Sequence, residues 1–228
     1  MARAVTIRAV ARQAGVGIAT VSRVLNGAPG VAPDTAAKVR RAMAALNYQP
    51  SAAGRSLRSG ASRALGVMVP TISNPIFALS LEGLEAVARE RGFSTIIASS
   101  HYDPGKEETV VGDLKARGVE GMVLTLCSPS PAALEMVEAQ GVPYVLLFNV
   151  LPPSAAPPAF VTVDNRGAVR DACAQLIADG HRRIAFLGGA FASSDRAAER
   201  YRGYCDAMEA AHLPVWPATE VPFLSDTP

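Results

Sequence analysis

Cysteine is scarce in this 228-residue chain, and Cys127, Cys173 and Cys205 stand far apart, with no CxxC and no paired spacing. That excludes a disulfide framework and a cysteine-based zinc site, and it fits a reducing compartment. Long apolar runs are missing as well. The longest, "VPYVLLFNVLPP", is far too short for a bilayer, which takes about 20 apolar residues. The N-terminus lacks the apolar core of an export signal, because Arg3, Arg8 and Arg12 interrupt it. Catalytic signatures are absent too. No GxGxxG follows a strand pattern, no GxxxxGK[ST] occurs, and "LGGAFASS" offers only a pair of glycines. His101, His181 and His212 fall on separate elements, and His181 in "GHRR" reads as a turn residue rather than a base. The expectation is a soluble cytoplasmic protein with no enzymatic activity, no cofactor, no metal and no membrane partner.

Acidic residues are almost missing from the first 63 positions, which hold ten Lys/Arg and a single acid, Asp34. The overall net charge of +2 hides this asymmetry: the first segment is +9 and the remainder is −7. A basic block on an acidic body suits a polyanion partner, most simply nucleic acid. A solvated basic surface or a targeting peptide would give the same charge.

Periodicity narrows the choice. Thr6 to Gln13 predicts a helix with Ile7, Val10, Ala11 and Ala14 on one side. Gly15 supplies a turn, and Gly17 to Leu25 predicts a second helix that buries Val21, Val24 and Leu25. Pro33 and Asp34 open a third helix whose core stripe is Val39, Met43 and Leu46. Two short helices around a glycine turn, braced by a third, make a helix-turn-helix unit. A plain three-helix bundle is the competing reading. The second helix leaves one face free of bulk: Ile18, Ala19, Thr20, Ser22, Arg23 and Asn26. Ser22 and Asn26 can bond phosphates there, and Arg23 can reach a base edge.

The stretches Val10-Ala11, Ala14-Gly15-Val16, Thr20 to Asn26 ("TVSRVLN") and Leu46 to Pro50 ("LNYQP") resemble the headpiece of the lac repressor/gal repressor family of bacterial transcription factors. That resemblance implies that Ile18, Ala19 and Arg23 face bases in the major groove of duplex DNA, with Thr6, Ser22, Asn26 and Tyr48 near phosphates. It also implies a hinge helix over Ser51 to Arg58 that folds on the operator, with Leu57 wedged into the minor groove between Arg55 and Arg58. An exposed Leu flanked by arginines suits a kinked minor groove, and eight residues are too few for a helix stable alone. The chain departs from the pattern where Gly17 and Ala32 replace polar caps, and where Gly54 sits inside the hinge.

From Ala64 the pattern alternates strands and helices: "ALGVMVP", a helix opened by Pro75, "FSTIIASS", "GKEETVVGDLKARG", "VEGMVLTL", "SPAALEMVEAQG" and "VPYVLLFN". That rhythm predicts a parallel sheet covered by helices. "PPSAAPP" (152–158) reads as a break. "AFVTVDN", a helix from Arg166 to Asp179, "HRRIAFLGG" and a helix through Ala198 to Ala211 read as the start of a second, similar lobe. The expected domains are therefore a headpiece (5–50), a hinge (51–63), a first lobe (64–158) and the start of a second (159–228). Only 70 residues remain for that second lobe, so the reading expects it to be incomplete.

Two α/β lobes bind small ligands at the carboxyl ends of their strands. Polar residues cluster there: Ser73 and Asn74, Asn149, Asp164-Asn165, and Ser193 to Arg196. Taken singly, each reads more readily as turn or cap chemistry. Asp164 with Arg200 forms a carboxylate–guanidinium pair suited to hydroxyls. "NPIFALSLEGLEAVARERGFSTIIASS", "VDN" and "GHRRIAFLGG" are similar to the family's periplasmic-binding-protein-like effector domain. The likeness implies an effector, a sugar or sugar derivative with a nucleobase as alternative, held by Ser73, Asn74, Phe77, Asn149, Asp164 and Arg200. Phe77 reads as a stacking surface or as core. The expected function is a repressor that binds a two-fold-related operator as a homodimer, with the effector lowering or raising operator affinity. A shortened regulator without effector response and a small-molecule receptor are the alternatives.

Overall fold

The structure is a computed structural model that describes residues 5–49, 61–149 and 158–222. These residues fall into two compact units, one ending at Ser62 and one beginning at Arg63. The expected hinge, with Arg55, Leu57 and Arg58, lies outside the described residues, as does nearly all of "PPSAAPP".

The first unit is helical: α1 (Ile7–Ala14), α2 (Ile18–Leu25) and α3 (Pro33–Ala45). Thr6 does not wind into α1. Its backbone stays extended, and its hydroxyl accepts a hydrogen bond from the Ala9 N–H at 3.4 Å. The helix therefore starts one residue later than the sequence predicts, as an N-cap requires. Gly15 ends α1 at φ 65°, the left-handed conformation that a residue without Cβ adopts freely. Gly17 caps α2 with no side-chain bond, and Ala32 does the same for α3. The apolar stripes meet as expected. Val10, Ala11, Val21, Val39 and Ala42 are buried, with Met43, Leu46 and Tyr48 packed against them.

The second unit carries a five-stranded parallel sheet in the order β2-β1-β3-β4-β5, built from β1 (Ala64–Val69), β2 (Ser94–Ser99), β3 (Gly121–Leu124), β4 (Tyr144–Leu147) and β5 (Phe160–Val161). Helices α4 (Pro75–Glu90), α5 (Pro104–Ala116) and α6 (Pro131–Glu138) make the crossovers. Their starts share one chemistry. Asn74, Asp103 and Ser130 each cap with a side-chain oxygen, and a proline fills the next position, where no N–H partner is needed. Beneath them Met68, Leu114, Leu124, Leu126 and Leu146 form the main core.

One expectation is corrected here. "AFVTVDN" does not open a second lobe. The Leu146 N–H donates to the Ala159 carbonyl at 2.9 Å and the Phe148 N–H to Val161 at 2.7 Å, so β5 closes the edge of the first sheet. The first sheet thus runs past position 158. Beyond it come α7 (Asn165–Ala178), β6 (Leu187–Gly189), a short 3-10 turn (Phe191–Ser193), α8 (Asp195–Ala210) and β7 (Thr219–Val221). β6 and β7 pair in parallel as a second sheet, and β7 is a strand that the sequence pattern does not predict. α7 lies tight on α8 because Gly203 faces it: a Cβ there would collide with the Arg166 carbonyl oxygen.

Candidate nucleic-acid interface and ligand cavity

α2 is held by one buried side chain, Val21, and turns the opposite face outward. Ile18 is 45% exposed, far more than a core isoleucine. Ala19, Arg23 and Asn26 are exposed beside it, with Thr20 and Ser22 half-buried at its edge. Arg23 makes no ion pair among the described residues. Small residues at the start of the helix let its backbone approach a groove, and Arg23 one turn later reaches deeper. Thr6 is exposed but already caps α1, so it has a structural task whatever it meets outside. Tyr48 is half-buried against the helical core, with part of its surface outward.

The second unit contains a cavity of about 150 Å³ lined by Asn74, Phe77, Tyr102, Phe148, Arg196 and Arg200, together with Ile76, Val163, Asn165 and Ser194. It lies at the carboxyl ends of the first sheet's strands and at the starts of α4, α7 and α8. In an order such as β2-β1-β3, the neighbours of β1 are reached by crossovers running to opposite sides of it, which opens a crevice at those strand ends. The wall is aromatic, with the Phe77 and Phe148 rings 5.9 Å apart, edge to face. Phe148 and Tyr102 both adopt positive φ, 66° and 55°. For bulky side chains that backbone costs about 1–3 kcal/mol, and such strain gathers at functional sites. Burial holds the Tyr102 hydroxyl above the ordinary tyrosine range, against the opposing pull of its bond to Asn74.

Of the six effector residues expected from sequence, the cavity gathers Asn74, Phe77 and Arg200. The other three are turned to structural bonds. Ser73 shares a hydrogen bond with Thr71 at 2.8 Å. Asn149 is fully buried and closed on Leu126, accepting from its N–H and donating to its carbonyl, each at 2.9 Å. Asp164 caps α7 through the Gly167 N–H at 2.8 Å. The expected Asp164–Arg200 pair is replaced. Arg200 Nε donates to Asn165 Oδ1 at 2.8 Å, because the carboxylate is held at the helix end.

Arg196 is the residue that sequence reasoning named only in passing. It is 6% exposed, and its Nη1 donates to the Leu126 carbonyl at 3.1 Å and to Asp195 at 2.9 Å. Its Nη2 is buried with no partner among the described residues. Burial lowers its pKa, and Asp195 opposes the shift. Next to it, Glu107 is buried and accepts from the Cys127 N–H at 2.6 Å. Burial raises the Glu107 pKa, offset in part by those Cys127 bonds, and pushes the Cys127 thiol up to about 12. Tyr102 and Phe148 follow strands just as Asn74 does, so the same strand-end rule reaches them once aromatic residues are admitted to it.

Comparison with known proteins decides the family. Residues 6–51 match the bacterial regulatory proteins of the lacI family, and residues 62–221 match the periplasmic binding proteins and sugar binding domain of that family. The chain belongs to the LacI family. Catabolite control protein A of Priestia megaterium is 34% identical over 211 residues, covering 92% of this chain and 63% of its own length. The HTH-type transcriptional regulator GntR of Escherichia coli K12 is 34% identical over 206 residues, covering 90% and 60%. The lac repressor dimer, solved bound to operator and the anti-inducer ONPF, superposes with a TM-score of 0.83 at 27% identity, covering 97% of this chain and 66% of that one. The chain therefore spans about three-fifths of the length of the curated LacI-family relatives it matches. Among the described residues no helix is long and apolar enough to cross a membrane, and no group of three His, Cys, Asp or Glu is placed to hold a metal ion.

Proposed function

We propose that this LacI-family chain is a sequence-specific transcriptional regulator, acting as a repressor in the cytoplasm, with no enzymatic step. Two copies bind a two-fold-related operator, each laying α2 in a major groove. Ile18, Ala19 and Arg23 read bases, while Thr20, Ser22, Asn26 and Tyr48 set the register on phosphates, joined by the exposed part of Thr6. Arg55, Leu57 and Arg58 enter the minor groove between half-sites. The observation that carries this reading is the outward face of α2, with Ile18 and Ala19 beside an Arg23 that makes no ion pair among the described residues, on a unit almost without acids.

The cavity of the second unit takes the effector, a sugar or sugar derivative, with Phe77 and Phe148 against its apolar face and Asn74 and Arg200 on its hydroxyls. Occupancy shifts operator affinity by as much as the ligand prefers one state of the protein over the other. Selection of the purified chain against random duplex DNA at physiological salt tests the reading. Enrichment of a palindrome is the expected result. Salt-sensitive binding with no enriched palindrome leaves only the backbone term and refutes sequence-specific regulation by this chain.

A further inference from the structure

We propose that the groove between α1 and α3 docks an acidic segment of a partner protein, held by Arg12, Lys38 and Arg41 while α2 faces the duplex. This goes beyond the regulator reading, because it gives the helical unit a second working surface and a protein to meet there.

The groove has a volume of about 510 Å³. Arg12 stands on its α1 side and Lys38 and Arg41 on its α3 side, all three exposed. No acid lines it among the described residues. None of the three cations makes an ion pair among those residues, although Asp34 lies one turn before Lys38. Between the cations the surface is small: Gly15, Ala42 and Ala45 let a partner's backbone lie close. Lys38 and Arg41 are neighbours at i,i+3 on one helix, and like charges so placed repel unless an anion answers them. Helix ends do not account for all three. Arg12 is in the last turn of α1, where a cation offsets the helix dipole, but Lys38 and Arg41 lie outside both the first and the last turn of α3.

The groove's position separates it from the reading face. α2 contributes no residue to the lining, so Ile18, Ala19 and Arg23 are all elsewhere. Thr6, the phosphate position expected on α1, caps the opposite end of that helix from Gly15. Carboxylates of a protein are the fitting anions for cations so placed. Duplex DNA repels an acidic chain, and three cations on a face apart from α2 retain such a chain beside a bound duplex. Their field steers its approach over about 8 Å at physiological salt.

The test uses the 228-residue chain saturated with unlabelled duplex DNA, at physiological salt. Fluorescence anisotropy follows a labelled peptide of Glu-Glu-Ala repeats and its Gln-Gln-Ala counterpart. The Glu peptide should bind roughly tenfold or more tightly than the Gln peptide, with the preference shrinking as salt rises. Lys38→Gln combined with Arg41→Gln should weaken the Glu peptide by about fivefold to tenfold. Arg8→Gln combined with Arg40→Gln removes the same charge from exposed positions outside the lining, and should change peptide binding by less than about twofold. The two double variants should bind duplex DNA within about twofold of each other. Lys38→Arg with Arg41→Lys should keep the peptide. All four positions are exposed, so the variants retain the fold, which circular dichroism checks. Equal losses of peptide in the two double variants mean a diffuse field and overturn the proposal, as does a Glu peptide that binds no better than the Gln peptide. A lining variant that loses duplex affinity beyond its control makes the groove a phosphate contact and overturns it too. Peptide binding specific to the lining, in a chain that enriches no palindrome, supports this inference and removes the regulator reading alone.

Discussion

Asn149 lies where a polar side chain at a strand end reads as a ligand contact, and its amide is instead closed on both backbone groups of Leu126. Asn149→Ala leaves a buried N–H and a buried carbonyl without partners, at about 1–3 kcal/mol for each group. The unfolding free energy of the second unit, measured in urea, should fall by at least about 2 kcal/mol, without requiring any ligand. Arg23 is the opposite case, exposed and without an ion pair among the described residues. Arg23→Ala should leave stability within about 0.5 kcal/mol and reduce discrimination at one operator base pair by about 1–3 kcal/mol. Competition binding on the selected operator and its single-base variants measures both the site and the size of that loss. Glu107 adds a pH term. Its pKa is raised in the folded protein, chiefly by burial, so the folded state holds the proton longer than the unfolded chain. Its contribution is therefore greatest below the unfolded carboxylate pKa and declines as pH rises through the folded value. Glu107→Gln keeps an acceptor for the Cys127 N–H and should flatten that decline in urea midpoints followed upward from about pH 4.

Two glycines show how the same substitution acts differently according to its element. Gly15→Ala meets open space at the end of α1, so only the left-handed backbone counts against it, at about 1–2 kcal/mol. Gly203→Ala drives a Cβ into the Arg166 carbonyl, which is backbone and cannot step aside, so α7 and α8 must separate. Its cost should exceed that of Gly15→Ala, and thermal unfolding of both variants ranks them. At this scale much of the structure was legible beforehand. The headpiece helices carried their stripes and glycine turn, and Pro75 marked the start of α4, as Pro104 and Pro131 do for α5 and α6, whereas α7 and α8 start without proline. What could not be read was partnership across the chain. Phe160–Val161 is two residues long and bears no mark of which sheet it joins; pairing with β4 decides that. Thr219–Val221 is exposed at all three positions and gives no burial pattern to detect. Three of the six expected effector residues, Ser73, Asn149 and Asp164, lie outside the cavity lining for a related reason. Polar groups at strand ends serve helix caps and buried bridges as readily as ligands, and only the geometry apportions Asp164 to Gly167 and Asn165 to Arg200.

At the scale of the molecule the division of charge matters most. Ten of the 22 basic residues and one of the 20 acids fall in the first 63 positions. DNA affinity should therefore fall steeply with salt, by roughly a thousandfold between about 50 and 200 mM if some six phosphates are neutralised. Residues 63–228 alone should show no such binding, and a salt titration by fluorescence anisotropy of both forms tests the contrast.

The early placement of β5 bears on how the chain is made. Every strand of the five-stranded sheet lies between Ala64 and Val161, in a run uninterrupted by any other sheet. A ribosome delivers that sheet in full, its β4 edge covered last by Phe160–Val161, before α7 has left it. Since domains fold as units during synthesis, at about 5–20 residues per second, the first sheet has seconds in which to settle before α8 presents the arginines to the cavity. The ligand's binding groups would thus be the last part of the site to arrive, on a wall already standing.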